Sequence, residues 1–540
     1  MQQKKSKKTQ IFLLTSVDFS VRIFNETAYI NNWKKRMISL EISLEKLDTE
    51  RRKNMERISR KMTGKKERPV KVVQFGEGNF LRAFVDYMID IANESGNFDG
   101  DVVIVKPIEF GSLENFHKQE CQYTVQLRGI VDGEAKRINR VVTSVADAVD
   151  SYSEYEKFMG LAKLDTLRFV VSNTTEAGIV YDASDRFENC PPMSYPGKLC
   201  KFLFERYQAF EGDMQKGLIM LPVELIDDNG IHLKECVLQQ ADNWGLEAGF
   251  QKWVKEACVF TSTLVDRIVT GYPRDEAAQL CEEFGYQDDL IVTGEPFALW
   301  VIESEKDISE ELPLPKAGLP VIYTDNQKPY KQRKVRILNG AHTSFVLASY
   351  LCGNDIVLES MQDEMILNYI KETIFEEVIP TLTLPKEDLE SFAQAVLTRF
   401  NNPYVKHALL SISLNSVSKW RARCMPSFLA YVSKEGKLPK HLTFSLAALL
   451  AFYTGSEIRD KALIGHRGEQ EYKILDDAAV LEFFAANSGR NAHEYAKVVL
   501  ANQDFWGQDL TEVPGALEAV AGYLEQIRKN GMREAVKVLG

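Results

Sequence analysis

Three polar side chains interrupt the apolar run KVRILNGAHTSFVL, and their chemistry is complementary: Lys334, Asn339 and His342. The spacing reads as a largely buried helix carrying Val335, Ile337, Leu338, Ala341, Phe345, Val346 and Leu347. At about 100° per residue, Asn339 and His342 stand about 60° apart, and Lys334 about 80° from His342. All three can then face one cavity, with the lysine stem spanning the extra turn. A lysine held against apolar surface loses hydration of its charged form, so its pKa falls from about 10.4 toward the range of a working base. Asn339 can donate to an oxygen that gains negative charge, and His342 can orient the substrate or the lysine. The plainer reading is a basic surface segment (Lys328, Lys331, Arg333, Lys334, Arg336) leading into a core helix with a satisfied histidine. Spacing by itself leaves both open.

A base and an oxyanion donor need a second reactant, and the first third of the chain holds elements suited to one. VKVVQF (70–75) reads as a short buried strand, GEGN as a tight turn, FLRAFVDYMIDIANESG as an amphipathic helix ending at Gly96, and DVVIVKP (101–107) as a second strand. This is a β-α-β unit of the length used by dinucleotide-binding folds. Glycines in such a turn let backbone N–H groups approach a pyrophosphate at a helix N-terminus. The cofactor-facing candidates are therefore the run Val72, Val73, Gln74, Phe75, Gly76, Glu77, Gly78, Asn79, Phe80, Leu81, Arg82 and Ala83. Leu81 stands where a GxGxxG pattern has its third glycine, and a purely structural turn is the alternative.

The second strand should end in an acid for the adenosine ribose. Here it runs Val105-Lys106-Pro107-Ile108-Glu109, and Lys106 could instead meet a 2′-phosphate, which leaves NAD against NADP open. A second cofactor-side loop, Asn173-Thr174-Thr175-Glu176-Ala177-Gly178, follows the strand RFVVS (168–172). Loops at the carboxyl ends of parallel strands line such a crevice, although a polar helix cap would look the same.

Further strand-like runs at 123–127 and 217–222 alternate with helical patterns, which argues an α/β domain with a mainly parallel sheet over 69–325. From 326 to 540 helical patterns dominate, for example 361–379, 385–399 and 443–453. The fold expected is a Rossmann-type dinucleotide-binding domain followed by a mainly α-helical domain. Residues 1–68, opening KKSKK and closing in a charge-dense run, read as a mobile extension or as sequence upstream of a later start at Met37, Met55 or Met62.

The formal charge of −11 argues against a nucleic-acid partner. The longest apolar stretch, 442–453, is too short to span a bilayer. Eight cysteines without a CxxC pair suggest free thiols in a reducing, cytoplasmic setting. Seven histidines with no HExxH or His-x-His spacing give metal catalysis no support.

Taken together, these segments resemble the mannitol dehydrogenase family of zinc-independent long-chain polyol dehydrogenases. Its marks stand here as GxGxFxR (Gly76 to Arg82), TEAG (Thr175 to Gly178), VDRI (Val265 to Ile268) and Lys-x4-Asn-x2-His (Lys334, Asn339, His342). The likeness runs from about Val70 to the C-terminus and is nearest to members acting on an acidic sugar. It implies NAD as cofactor, no metal, and a small-molecule sugar acid oxidised or reduced at one carbon. Lys334 would be the general acid/base, Asn339 the oxyanion donor and His342 a positioning group. Asp266, Arg399, Lys406 and His407 would face the substrate, with Arg399 in RFNNPYVKH gripping its carboxylate, Lys406 and His407 one to two turns beyond if that segment continues as a helix, and Lys331 next in line. Polyol-type members carry a second asparagine where Leu225 stands, so Asn173 is a possible second donor, and they carry an acid where Lys331 stands. The rival from another class is a non-catalytic sugar-acid sensor on the same scaffold.

Overall fold

A computed structural model describes residues 55–175 and 177–539. The expected buried strand is β1 (Val70–Phe75) and the second is β2 (Asp101–Lys106). Four more strands complete one sheet: β3 (Val145–Asp150), β4 (Phe169–Ser172), β5 (Ile219–Pro222) and β6 (Val259–Phe260). All pairings are parallel and the order is β3-β2-β1-β4-β5-β6, the arrangement of a doubly wound nucleotide-binding sheet. Apolar clusters pack on both faces, so the strands are near-continuous runs of Val, Ile, Phe and Leu.

The run at 123–127 does not join this sheet. It lengthens to Tyr123–Val131 and pairs antiparallel with Glu134–Val142 in a separate four-stranded sheet. A third sheet brings Ser262–Asp266 antiparallel to Leu299–Glu303, which lies parallel to Val321–Thr324. Its first strand ends where the nucleotide-binding sheet meets the helical half, and that end carries Val265 and Asp266.

The helical half closes over one large core. Gly340–Leu351 is buried on nearly every side, with Lys440–Phe452 among the elements packed on it. The segment 361–379, expected as one helix, is broken: Asp363, at φ −84° and ψ 103°, separates Val357–Gln362 from Glu364–Glu372, and a π-turn follows over Thr373–Val378. A small antiparallel sheet spans Ile458–Arg459, Ala462–Arg467 and Gln470–Ile474, so this half is not wholly helical.

Residues 1–54 of the proposed extension lie outside the described residues. Residues 55–68 are not a loose tail. Ile58 is fully buried, Arg57 bridges to Gln287, and the Lys65 ammonium is sealed against Asp101 at 2.7 Å with a further bond to the Thr143 carbonyl at 2.8 Å. A lysine and an aspartate buried together stay in place because each satisfies the other.

Candidate active site

The strand β1 delivers its last residue into a turn at the point where the sheet order reverses, between β1 and β4. The Gly76 N–H donates to the Val105 carbonyl at 3.0 Å, and the Asn173 N–H donates to the Phe75 carbonyl at 3.1 Å. Gly76 has φ +123°, and a Cβ there would stand 3.1 Å from Leu81 Cδ1 and 3.2 Å from the Asn173 oxygen. Only glycine fits. Gly78 has open space on its Cα, and the helix begins at Asn79, whose first turn lines the crevice with N–H groups that have no intrahelical partner. The turn is thus a cradle of the kind a pyrophosphate occupies.

The cofactor candidates divide into those that line the crevice and those that brace it. Asn79, Phe80, Asn173, Thr175 and Ala177 line a cavity of about 670 Å³ together with Val223, Leu225, Val265, Asp266, Arg267, Val269 and Lys334. Val72, Val73, Phe75, Leu81 and Ala83 are buried beneath it. Gln74 donates to the Gly76 carbonyl at 3.1 Å and to Asp86 at 3.3 Å, so it holds the turn from below. Asp86, also bonded by Tyr123 at 2.8 Å, is pushed up to about 7 by burial. Arg82 turns away from the crevice, donating to Leu290, Glu77 and Asn79. Burial raises the Glu77 carboxyl above its usual range. Thr175 sits at φ +70°, a strained conformation for a β-branched residue on a cavity wall. Glu176 lies outside the described residues.

Lys106 is not available to a 2′-phosphate. It is buried, its ammonium ion-paired with Asp150 at 3.1 Å and bonded to the carbonyls of Glu109 and Phe110 at 3.0 and 3.2 Å. The donors are spent on folding the end of β2.

A second cavity of about 700 Å³ adjoins the first, and Lys334, Val265 and Leu225 line both. The helix carrying Lys334 is not uniformly α: Lys328–Arg333 is followed by a π-segment over Lys334–Asn339 before α-geometry resumes at Gly340. With i→i+5 bonding, residues five apart stack, so Lys334 and Asn339 share a face that a regular α-helix would have splayed. Both line the second cavity. The Lys334 Nζ donates to the Val265 carbonyl at 2.7 Å, which fixes it between the two cavities. Burial lowers its pKa, with Asp266 opposing and Arg399 reinforcing the shift. The Asn339 side-chain amide is half-buried and has no partner among the described residues.

His342 is not among the lining residues of either cavity, contrary to the single-face expectation. Its ring stacks on Phe400 at 4.2 Å and lies 5.5 Å from that of His407, and Nε2 is buried without a partner. Burial and the nearby cations hold His342 well below its ordinary pKa, so it is neutral. The helix that carries Arg399 stops at Phe400, so the continuation that would have set Lys406 and His407 on further turns does not form. Lys406 and His407 sit in the following loop, Lys406 exposed and His407 folded back against His342.

The Arg399 side chain is buried, 5% exposed, and heavily engaged. It donates to Asp266 at 3.1 and 3.0 Å and to Glu295 at 2.9 and 2.7 Å, with its guanidinium 4.1 Å from the Phe297 ring. Four of its five N–H groups are thereby spent on the two carboxylates, it lines neither of these two cavities, and Asp266 is likewise occupied. Lys331 pairs with Asp227. At the Leu225 position Glu224 turns inward and accepts from Ser172 and Thr174, while Leu225 is exposed. Asn173 reaches the first cavity but is not among the residues of the second. Residues that sequence reasoning missed are the Val265 carbonyl that holds the lysine and Glu295, which shares Arg399. A backbone acceptor and a partner 104 positions away leave no local signal.

Among the described residues no three His, Cys, Asp or Glu side chains gather as metal ligands, and no helix is long and apolar enough to cross a membrane. Residues 70–316 match the mannitol dehydrogenase Rossmann domain and residues 326–528 the mannitol dehydrogenase C-terminal domain. The chain is 48% identical over 478 residues to altronate oxidoreductases of Shigella flexneri and of Escherichia coli O7:K1, covering 87% of this chain and 97% of each relative. Among solved structures it resembles Pseudomonas fluorescens mannitol 2-dehydrogenase in ternary complex with NAD and D-mannitol, at TM-score 0.62 and 21% identity over 90% of this chain and 99% of that one. It also resembles a D-sorbitol dehydrogenase in substrate-free form, at TM-score 0.69 and 20% identity over 89% of this chain and 100% of that one. The chain belongs to the mannitol dehydrogenase family.

Proposed function

We propose that this chain is an NAD-dependent oxidoreductase that interconverts D-altronate and D-tagaturonate. The observation that carries the reading is Lys334, anchored on the Val265 carbonyl at 2.7 Å where the glycine-turn cavity and the second cavity meet. The relatives named altronate oxidoreductase support the choice of sugar.

When bound along the glycine turn, NAD supplies the hydride acceptor. Gly76 and Gly78 admit its pyrophosphate, and Asn79, Phe80, Asn173 and Thr175 wall its crevice. In the oxidation, the neutral Lys334 amine takes the proton from the substrate hydroxyl while the hydrogen on the same carbon leaves as hydride, and the C–O bond becomes a carbonyl. Asn339 donates to that oxygen as it gains negative charge. In the reduction, the Lys334 ammonium returns the proton. Asp266, held by Arg399, sets how readily the lysine gives it up. His342, neutral and packed on Phe400, supports the helix behind Asn339. Seven free cysteines among the described residues (121, 190, 200, 236, 258, 352 and 424) support a reducing, cytoplasmic setting.

A panel of NADH-linked assays over tagaturonate, fructuronate and fructose tests the proposal. Tagaturonate should give the highest kcat/KM, and a clear preference for either competitor would reject the assignment.

A further inference from the structure

Tagaturonate is a 2-ketose oxidised to a carboxylate at the opposite terminus, so its reacting carbonyl and its charge lie at opposite ends of a six-carbon chain. With Arg399 spent on Asp266 and Glu295, the carboxylate needs another cation, on the wall of the second cavity but away from Lys334. That wall carries Lys328, Lys331, Arg336 and Arg423. Lys331 is paired with Asp227, and Lys328 is exposed at the mouth.

The two arginines differ from both. Arg423 ends the helix Ser416–Arg423 and is half-buried, yet its guanidinium has no partner among the described residues. Arg336 is half-buried as well, with one long bond to the Thr381 carbonyl at 3.4 Å. Burial lowers the pKa of each, and no carboxylate stands close enough to oppose it. The acids of the same cavity are committed or remote: Glu224 accepts from Ser172 and Thr174, Asp227 holds Lys331, and Asp228 is exposed. Half-desolvating two guanidinium groups without a counter-charge is unfavourable unless a ligand supplies one. Arg423 is also tied to the catalytic helix. Its carbonyl lies 3.1 Å from where a Cβ on Gly340 would stand, and Cys424 Sγ donates to the Gly340 carbonyl at 3.5 Å. Gly340 follows Asn339, so the position of Arg423 is fixed relative to the oxyanion donor.

We infer that Arg423, assisted by Arg336, binds the carboxylate of the sugar acid and so selects acidic over neutral ketoses. The inference rests on the sugar-acid reading given above. A planar guanidinium can meet a carboxylate with two parallel bonds, which a lysine cannot match.

The test is kinetic, with tagaturonate and its neutral counterpart tagatose reduced by NADH in the parent, Arg423→Ala, Arg423→Lys and Arg336→Ala. The parent should strongly prefer the acid. Arg423→Ala should raise the Michaelis constant for tagaturonate about 30-fold or more and lower the acid-to-neutral ratio of kcat/KM by a similar factor. Arg423→Lys should recover part of both, and Arg336→Ala should lower the ratio less. NADH quenching and thermal midpoints report whether each variant is folded, and the lysine variant keeps the charge if the alanine variant is not. An unchanged Michaelis constant and ratio in folded Arg423 variants overturns the inference while leaving the proposed reaction standing. A parent enzyme that ignores tagaturonate but reduces another ketouronate sinks the proposed reaction. The same ratio, measured with that acid and its own neutral ketose, then decides the arginines. A parent that prefers the neutral ketose overturns both.

Discussion

Arg399 holds Asp266 through both of its terminal nitrogens, at 3.1 and 3.0 Å. Glu295 completes the cluster, whose side chains are at most 8% exposed although Asp266 also lines the first cavity. Burial raises the Glu295 carboxyl, and Arg399 partly reverses the shift. An arginine in this position shapes the field at the lysine and braces the strand end that carries Val265.

Arg399→Ala should therefore behave first as a stability variant. It leaves two buried carboxylates without their cation, a loss of about 3–5 kcal/mol. Urea unfolding measures it. A variant as stable as the parent, with only its affinity for the sugar acid reduced, would return Arg399 to the substrate.

Lys334→Ala should cut turnover by at least about 10²–10⁴-fold while NADH still binds. In the parent, oxidation requires the neutral amine, so its rate should rise with pH through the depressed lysine pKa; reduction requires the ammonium and should fall over the same interval. Asp266 stabilises the ammonium, so Asp266→Asn should displace both limbs toward lower pH. Limbs that stay put in a folded Asp266→Asn enzyme would show that the carboxylate does not act on the lysine.

Much of this site is legible in the sequence, and the part that is not has a common cause. The strand β1, the glycine turn and β2 emerge from the sequence because period, apolar runs and glycine are local signals. Lys334 and Asn339 also stand out by type and spacing. The π-segment that aligns them does not, because i→i+5 bonding has no pattern of its own in a single sequence. Arg399 reads as a free cation because its partners lie 133 and 104 positions away. The loop that carries His407 back to His342 begins just beyond the helical pattern read over 385–399, where Asn401-Asn402-Pro403 is the one local signal against a continuing helix.

Gly76→Ala should weaken NADH binding about 10-fold or more. The new methyl meets Leu81 and the Asn173 carbonyl at little over 3 Å, and the backbone is held where side chains are strained by about 1–3 kcal/mol. Fluorescence titration with NADH gives the answer directly, and unchanged affinity would mean the turn does not contact the dinucleotide.

NADH should be preferred over NADPH, since Lys106 is sealed against Asp150 and so is not left for a 2′-phosphate at the end of β2. Comparison of kcat/KM for the two cofactors decides it. Activity should also persist after prolonged dialysis against a chelator, and loss that zinc restores would contradict the lysine mechanism.

The shared wall of Lys334, Val265 and Leu225 has a pharmacological consequence. Two chambers that meet at one ammonium can be spanned by one molecule. A nicotinamide-like head joined to a short aldonate would engage both at once, and its second contact would form at the high effective concentration that tethering confers. Such a bridging inhibitor would draw its selectivity from the sugar-acid half, because dinucleotide crevices are common to many dehydrogenases whereas the arginine-lined chamber is the one proposed here to hold a charged sugar.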